Sequence, residues 1–289
     1  MLSDGRKIPG CVRFPIERGF MQPMKPILVM TLALVPLFLS SADGMPQLIA
    51  HRGASSHAPE NTLASFRLAW KEGADGIEGD FYLSQDGEVV CIHDKTTKRT
   101  ADTDLQVTES TLGQLRELDF GAWKGKQFQG ERIPTLNEVL DVLPAGKWFF
   151  LEIKDSARIV KPIAKILKEK KADPAKVVLI SFNKEVVKAC REIMPAYRAC
   201  LISELKEFGK EGQPDGYLAE LKSTGAQGLL FKENAPVTAE WLKQVRGKDG
   251  LLMAWTVDDK KVARRMIGLG VDFVGTNRPG DLRVELKAE

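Results

Sequence analysis

Trp148-Phe149-Phe150-Leu151-Glu152-Ile153-Lys154 is followed by an amphipathic stretch over residues 158–170 and then by Val177-Val178-Leu179-Ile180-Ser181-Phe182. These apolar runs are too continuous for strands with one wet face, and suit parallel strands covered on both sides. Working towards the C-terminus, the alternation continues: helix 184–194, strand 198–202, helix 215–223, strand 228–231, helix 238–246, strand 251–257, helix 260–269 and strand 272–276. Towards the N-terminus lie a strand at 48–52, a helix at 62–72 and a strand at 76–82. The turn Ser84-Gln85-Asp86-Gly87 then leads into an extended run at 89–93, which reads as a hairpin arm. Residues 95–133 are irregular, as a functional excursion would be. They lead into Arg132-Ile133-Pro134-Thr135-Leu136, where Thr135 is an N-cap with Glu138 completing a capping box and a helix running to about Leu143. Without the hairpin arm the chain has eight main strands alternating with helices, which predicts a closed (β/α)8 TIM barrel with a small excursion after strand 2. A doubly wound open sheet is the alternative, weakened by the lack of a Gly-x-Gly-x-x-Gly turn after the first strand.

Of the 289 residues, the first 42 read as a leader and residues 43–289 as the barrel domain. Met24-Lys25 opens a charged segment, Pro26 to Leu39 is uncharged and mostly apolar, and Ser40-Ser41-Ala42 supplies small residues for cleavage before Asp43. Residues 1–20 do not fit such a signal, so the expected start is Met21 or Met24. A membrane anchor is the competing reading, but the run is short against the ~20 residues that a spanning helix needs. The expected location is therefore periplasmic or secreted, with no stable membrane anchor after signal cleavage. Removing the leader takes five of the 42 Lys and Arg and two of the 39 Asp and Glu, leaving 37 of each. The basic balance thus belongs to the leader, and a nucleic-acid partner is not indicated. Cys91, Cys190 and Cys200 remain after the leader; the last two are open to pairing or to burial as free thiols.

In a barrel the chemistry gathers at the C-terminal ends of the strands. Polar residues that end apolar strands are His51 and Arg52, Glu78 and Asp80, Glu152 and Lys154, Trp255, and Thr276-Asn277. Glu78 and Asp80 are two apart and face the same way on a strand, as do Glu152 and Lys154. Three carboxylates converging at one mouth need positive charge between them, and a hard divalent cation such as Ca2+ or Mg2+ would supply it. The spacing alone also describes an ordinary half-exposed strand and a solvated ion pair. All three histidines, His51, His57 and His93, lie in one stretch of the chain; His57 reads as a surface loop residue.

The ordered set His51-Arg52-Gly53, Pro59-Glu60-Asn61-Thr62, Glu78-x-Asp80, Asp86-Gly87 and His93-Asp94 resembles the signature of the glycerophosphodiester phosphodiesterases. Further similarity lies at Leu118-Asp119-Phe120-Gly121, Ile133-Pro134-Thr135-Leu136, Leu151-Glu152-Ile153-Lys154 and near Trp255-Thr256-Val257, so that the likeness spans about Leu48 to Pro279. The resemblance implies a (β/α)8 barrel. It also implies a metal site of Glu78, Asp80 and Glu152, an acid–base pair of His51 and His93, and phosphate contacts from Arg52 and Lys154. Glu60 would shape the metal's surroundings, with Glu60 and Trp255 in the pocket, and residues 95–133 would form the excursion over the mouth. Asn277 stands where an Asp is common, and no implied role falls on it. The activity so implied is metal-dependent hydrolysis of a glycerophosphodiester, a small-molecule substrate, to glycerol 3-phosphate and an alcohol. A phosphodiesterase acting on lysophospholipids and a non-catalytic binding barrel are the alternatives.

Overall fold

The computed structural model describes residues 45–205 and 213–288. The expected leader, its cleavage point and the competing anchor lie outside the described residues. Among the described residues no helix is long and apolar enough to cross a membrane.

The strands are β1 (Gln47–Ala50), β2 (Gly76–Leu83), β3 (Val89–Cys91), β4 (Trp148–Ile153), β5 (Val177–Ser181), β6 (Arg198–Ser203), β7 (Gly228–Lys232), β8 (Leu251–Trp255) and β9 (Phe273–Thr276). The helices are α1 (Leu63–Lys71), α2 (Leu112–Glu117), α3 (Leu136–Asp141), α4 (Val160–Glu169), α5 (Lys184–Ile193), α6 (Gln213–Thr224), α7 (Ala239–Arg246), α8 (Lys260–Gly268) and α9 (Pro279–Lys287). All strands except β3 pair in parallel, in the order β1-β9-β8-β7-β6-β5-β4-β2, and β1 pairs with β2 to close the ring. The fold is the expected closed eight-stranded barrel, with β3 folded back antiparallel on β2 as the hairpin arm.

Strand parity separates two cores. Residues such as Ile77, Phe149, Leu151 and Leu179 point outward and pack under the helices. Ile49, Trp148, Phe150, Ile180, Met253 and Phe273 belong to the set that fills the barrel itself. The Phe273 ring meets Trp148 and Phe150 edge-on, with centroids 4.9 and 5.1 Å apart, the favourable geometry for aromatic quadrupoles. Gly76 is required beside them, because a Cβ there would lie 2.6 Å from Trp148 Cβ.

The capping box read at Thr135 forms, and a second one, not read from the sequence, forms at Thr62. Thr62 and Thr135 accept from the amides of Ser65 and Glu138 and start α1 and α3. The expected strand 48–52 stops at Ala50, because Arg52 turns to φ 55° and Gly53 to φ 81°. Gly53 is needed at that turn; a Cβ would meet Ser65 Oγ at 2.4 Å as well as straining the backbone. Residues 95–133 build a satellite core of their own, where Val107, Leu115, Leu118, Phe120 and Ile133 pack on Tyr82, Val90 and Ile92 of the hairpin. Lys124 Nζ donates to Ser55 O at 2.7 Å, tying this excursion to the loop after β1. Cys91, Cys190 and Cys200 are all free and buried, so the 190–200 pair is not a disulfide. Neither α2 nor the closing helix α9 was expected from the sequence pattern.

Candidate active site

Glu78, Asp80 and Glu152 have the parity of the barrel-filling residues, one or two rungs above Gly76 and Phe150. Asp80 and Glu152 are direct partners in the β2–β4 ladder, and Glu78 is the partner of Phe150. One carboxylate oxygen from each lies within 4.8 Å of the other two, and all three side chains are buried. This spacing is compatible with one divalent cation, and the donors are all oxygens, which suits a hard ion. Glu78 Oε2 accepts the Arg52 amide at 2.9 Å, while its Oε1 is buried with no hydrogen-bond partner. A buried carboxylate oxygen left unpaired is costly in a protein interior, and a cation would satisfy it.

The electrostatics follow from crowding. Burial, then Asp80 and Glu152, push Glu78 well above the usual carboxylate range. Burial and the neighbouring Asp80 raise Glu152 to about 7, against the opposing pull of Lys154. Burial also pushes Asp80 up, but Arg52, His93 and Lys154 outweigh it and hold this carboxyl below its ordinary value. Without a cation, therefore, one carboxylate of the three carries its charge readily and the other two resist ionisation.

The surrounding cations are fixed by hydrogen bonds. Arg52 Nη1 donates to Glu60 Oε1 at 2.9 Å, and Arg52 Nε lies 3.3 Å from Asp80 Oδ2. Lys154 Nζ sits 2.9 Å from Glu152 Oε1, 3.8 Å from Asp80 Oδ1 and 3.2 Å from His93 Nε2. Asn61, at φ 57°, donates to Asp80 Oδ2 at 2.8 Å and accepts the Asp80 amide at 3.2 Å. It therefore sets the orientation of that carboxylate.

The hairpin delivers the second histidine. Ile92 N donates to Asp80 O at 2.8 Å, which brings the end of β3 to the mouth. His93 Nδ1 is 2.6 Å from Asp94 Oδ1, and Asp94 Oδ2 accepts Arg99 Nε at 2.7 Å. The two terminal nitrogens of Arg99 also donate to Glu60, at 2.7 and 2.8 Å. Burial, then Arg52 and Lys154, lower the His93 pKa despite Asp80 and Asp94. The first histidine follows β1. His51 Nδ1 is 2.8 Å from Asn277 Oδ1, and burial, then Arg52, push its pKa down to about 4.

A cavity of about 280 Å3 opens over these groups. His51, Arg52, Glu78, His93, Glu152 and Lys154 line one side, and Asp80 lies buried beneath. The opposite side is Ile180, Phe182, Ile202, Leu230, Met253 and Trp255, with Glu204 as its charged member. Phe182 is 44% exposed and meets Trp255 edge-on at 5.7 Å, so an aromatic pair stands at the rim. A larger cavity of about 550 Å3 lies at the other end of the barrel, around the starts of β1 and β4, and holds none of the motif residues.

Glu60 stands behind the lining residues of the cavity, and both of its oxygens accept from the guanidinium groups of Arg52 and Arg99. Asn277, assigned no role from the sequence, contacts His51 directly. Sequence reasoning missed Arg99, which hides in the irregular segment, and Asp258, three residues past the end of β8. Position at a strand end was a usable signal for Asn277 and Asp258; Arg99 had none. His57 is exposed as expected, with its ring nitrogens 2.8 Å from Glu72 and 3.3 Å from Asp281.

Residues 51–281 match the model of the glycerophosphoryl diester phosphodiesterase family. The chain belongs to that family. A glycerophosphodiester phosphodiesterase of Caldanaerobacter subterraneus is 35% identical over 241 residues, covering 81% of this chain and 95% of that protein. One of Bacillus subtilis is 32% identical over 247 residues, covering 80% and 83%. A solved phosphodiesterase of Oleispira antarctica, in complex with the product sn-glycerol 3-phosphate, superposes with a TM-score of 0.76 at 28% identity, covering 85% of this chain and 98% of that one. The protein is thus a glycerophosphodiester phosphodiesterase, a phosphoric diester hydrolase, and the charged mouth of its barrel is the candidate site of that reaction.

Proposed function

We propose that the enzyme hydrolyses glycerophosphodiesters to sn-glycerol 3-phosphate and an alcohol. A divalent cation would be held by Glu78, Asp80 and Glu152, and protons would be carried by His51 and His93. The observation that carries this reading is the convergence, on one side of one cavity, of three buried carboxylates and two histidines with separate hydrogen-bond partners. When bound, Ca2+ or Mg2+ would act as a Lewis acid towards a phosphoryl oxygen. Arg52 and Lys154 add fixed positive charge beside the carboxylates, where an anionic diester must approach. One imidazole accepts a proton from the attacking oxygen, and the other protonates the alkoxide as its P–O bond breaks. The product complex of the Oleispira relative supports a small-molecule substrate of this kind.

The deciding experiment is release of glycerol 3-phosphate from glycerophosphocholine, with and without chelator, by wild type and by the variants His51→Ala and His93→Ala. Chelation should abolish turnover. Each histidine variant should lose on the order of a hundredfold or more in rate while still binding the cation. Undiminished turnover after exhaustive chelation would overturn the reading. The apolar side of the cavity favours a second reading, in which an acyl chain lies along Phe182 and Trp255. A preference for lysophosphatidylcholine over glycerophosphocholine would establish it. The apolar run ending in Ser40-Ser41-Ala42 supports an exported enzyme, periplasmic or secreted.

A further inference from the structure

Asn277 stands immediately after β9, and Asp258 lies in the loop that follows β8. Asp258 Oδ1 accepts Thr276 Oγ1 and the Asn277 amide, each at 2.8 Å, and its Oδ2 accepts Asn277 Nδ2 at 2.6 Å. With three donors converging on it, Asp258 acts here as an acceptor, so the amino group of the Asn277 side chain must face it. The amide oxygen is thereby turned towards His51 Nδ1, 2.8 Å away, with Ser55 Oγ 2.9 Å from the same oxygen. An amide oxygen only accepts, so the proton of that contact has to reside on His51 Nδ1.

We propose that Asn277 and Asp258 are positioning residues for proton transfer. Together they lock His51 in its Nδ1–H tautomer and present the lone pair of Nε2 to the cavity. The backbone reinforces the arrangement: His51 N donates to Thr276 O at 2.8 Å and Ser56 N to Asn277 O at 3.0 Å. These bonds anchor the imidazole and its partner to the same β1–β9 seam. The other histidine is held differently, since His93 Nδ1 meets the carboxylate of Asp94 directly. The neutral amide gives His51 a hydrogen-bond acceptor of fixed direction without setting a full negative charge against the ring. The tautomer with an unprotonated Nε2 is the form that accepts a proton from the attacking oxygen. The inference rests on the proposed acid–base role of His51 and adds the means by which its proton is placed.

The test combines imidazole nitrogen NMR with kinetics on the full chain. Its three histidines make the spectrum assignable through His57→Gln and His93→Gln reference spectra. His51 should show one pyrrole-type nitrogen at Nδ1 and one pyridine-type nitrogen at Nε2. In Asn277→Ala and in Asp258→Asn, where the amide is free to flip, this pattern should give way to mixed tautomers. In both variants kcat should fall on the order of ten- to a hundredfold, with KM and divalent-cation affinity unchanged. An Nε2–H tautomer in the wild type, or wild-type kcat in both variants, would overturn the inference. So would a loss of kcat accompanied by loss of cation affinity and of cooperative melting, which marks a structural role. If His51→Ala itself keeps the wild-type rate, the acid–base reading fails instead.

Discussion

In the cation-free enzyme, replacing Glu152 by Gln should stabilise the fold above neutral pH. The Glu152 side chain is 11% exposed, and burial beside Asp80 raises its carboxyl from the ordinary 4.5 to about 7. Below pH 4.5 the proton is bound in folded and unfolded chains alike, and the raised pKa carries no penalty. As pH rises past 4.5 the unfolded chain ionises first, and stability falls until the folded carboxyl also ionises near 7. The full loss corresponds to about 3 kcal/mol, at about 1.4 kcal/mol per pKa unit. Gln keeps the shape and removes the charge, although Lys154 then loses its charged partner at 2.9 Å and keeps Asp80 and His93. The net gain at pH 8 should therefore be on the order of 1–3 kcal/mol, and near zero at pH 4.5. Urea melts in chelator, followed by fluorescence from tryptophans that include the barrel-filling Trp148, would read this as a midpoint shift of about 1 M, given the usual slopes of about 1–3 kcal/mol per molar. Saturating Ca2+ or Mg2+ should reverse the ranking, because only the wild type has all three carboxylates. Equal wild-type and variant stabilities at pH 8, in chelator, would refute the argument from carboxylate crowding.

Arg99→Ala should lower kcat on the order of tenfold, because Glu60 and Asp94 lose their common clamp; steady-state kinetics on glycerophosphocholine checks it. Arg52→Lys keeps the charge but loses the fork reaching Glu60 and Asp80, and should raise KM about tenfold in the same assay. NMR titration of the cation-free protein should place His51 near 4; since this lies below the ordinary 6.5, the stability tied to its neutral form is present above 6.5 and drains away as pH falls towards 4. N-terminal sequencing of the exported protein should begin at or near Asp43, and a membrane-bound form retaining residues 24–42 would favour an anchor.

The barrel could be read from the chain because its strands announce themselves. The runs at 148–153 and 177–181 are too apolar to be anything but covered on both faces, and Gly76-Ile77-Glu78-Gly79-Asp80 carries its carboxylates on one parity. Position at the strand ends places Glu152 at the same mouth as Glu78 and Asp80, and β2 and β4 are neighbours in the sheet. For Asn277 the strand-end position was legible but its partner was not. It touches His51 across 226 residues, and only closure of the ring between β1 and β9 makes them neighbours. Arg99 was hidden for the opposite reason. It is close in sequence to Asp94, but in a segment without periodicity, so nothing indicated which way its guanidinium would turn. The early end of β1 is likewise a backbone event, the left-handed Arg52, that composition does not signal.

The two-sided lining of the mouth has a consequence for how such an enzyme can diversify. Nearly every group proposed to handle protons, phosphate or cation lies between His51 and Lys154, on one arc of the ring. The facing arc, from Ile180 to Trp255, contributes mainly hydrocarbon and aromatic surface. Side chains on that arc can be exchanged without touching the hydrogen bonds that aim Asp80 or His93. On the proposed assignment, turnover and selectivity fall largely in separate lengths of the chain, and selection could revise the second while most of the first stands still. The crossing points among the described residues are few: Phe182, whose ring centre is 5.7 Å from Lys154 Nζ, and the Asp258–Asn277 pair behind His51. Ile180, the ladder partner of Glu152, is another, and at such positions a change made for a new alcohol would be felt at once in the rate.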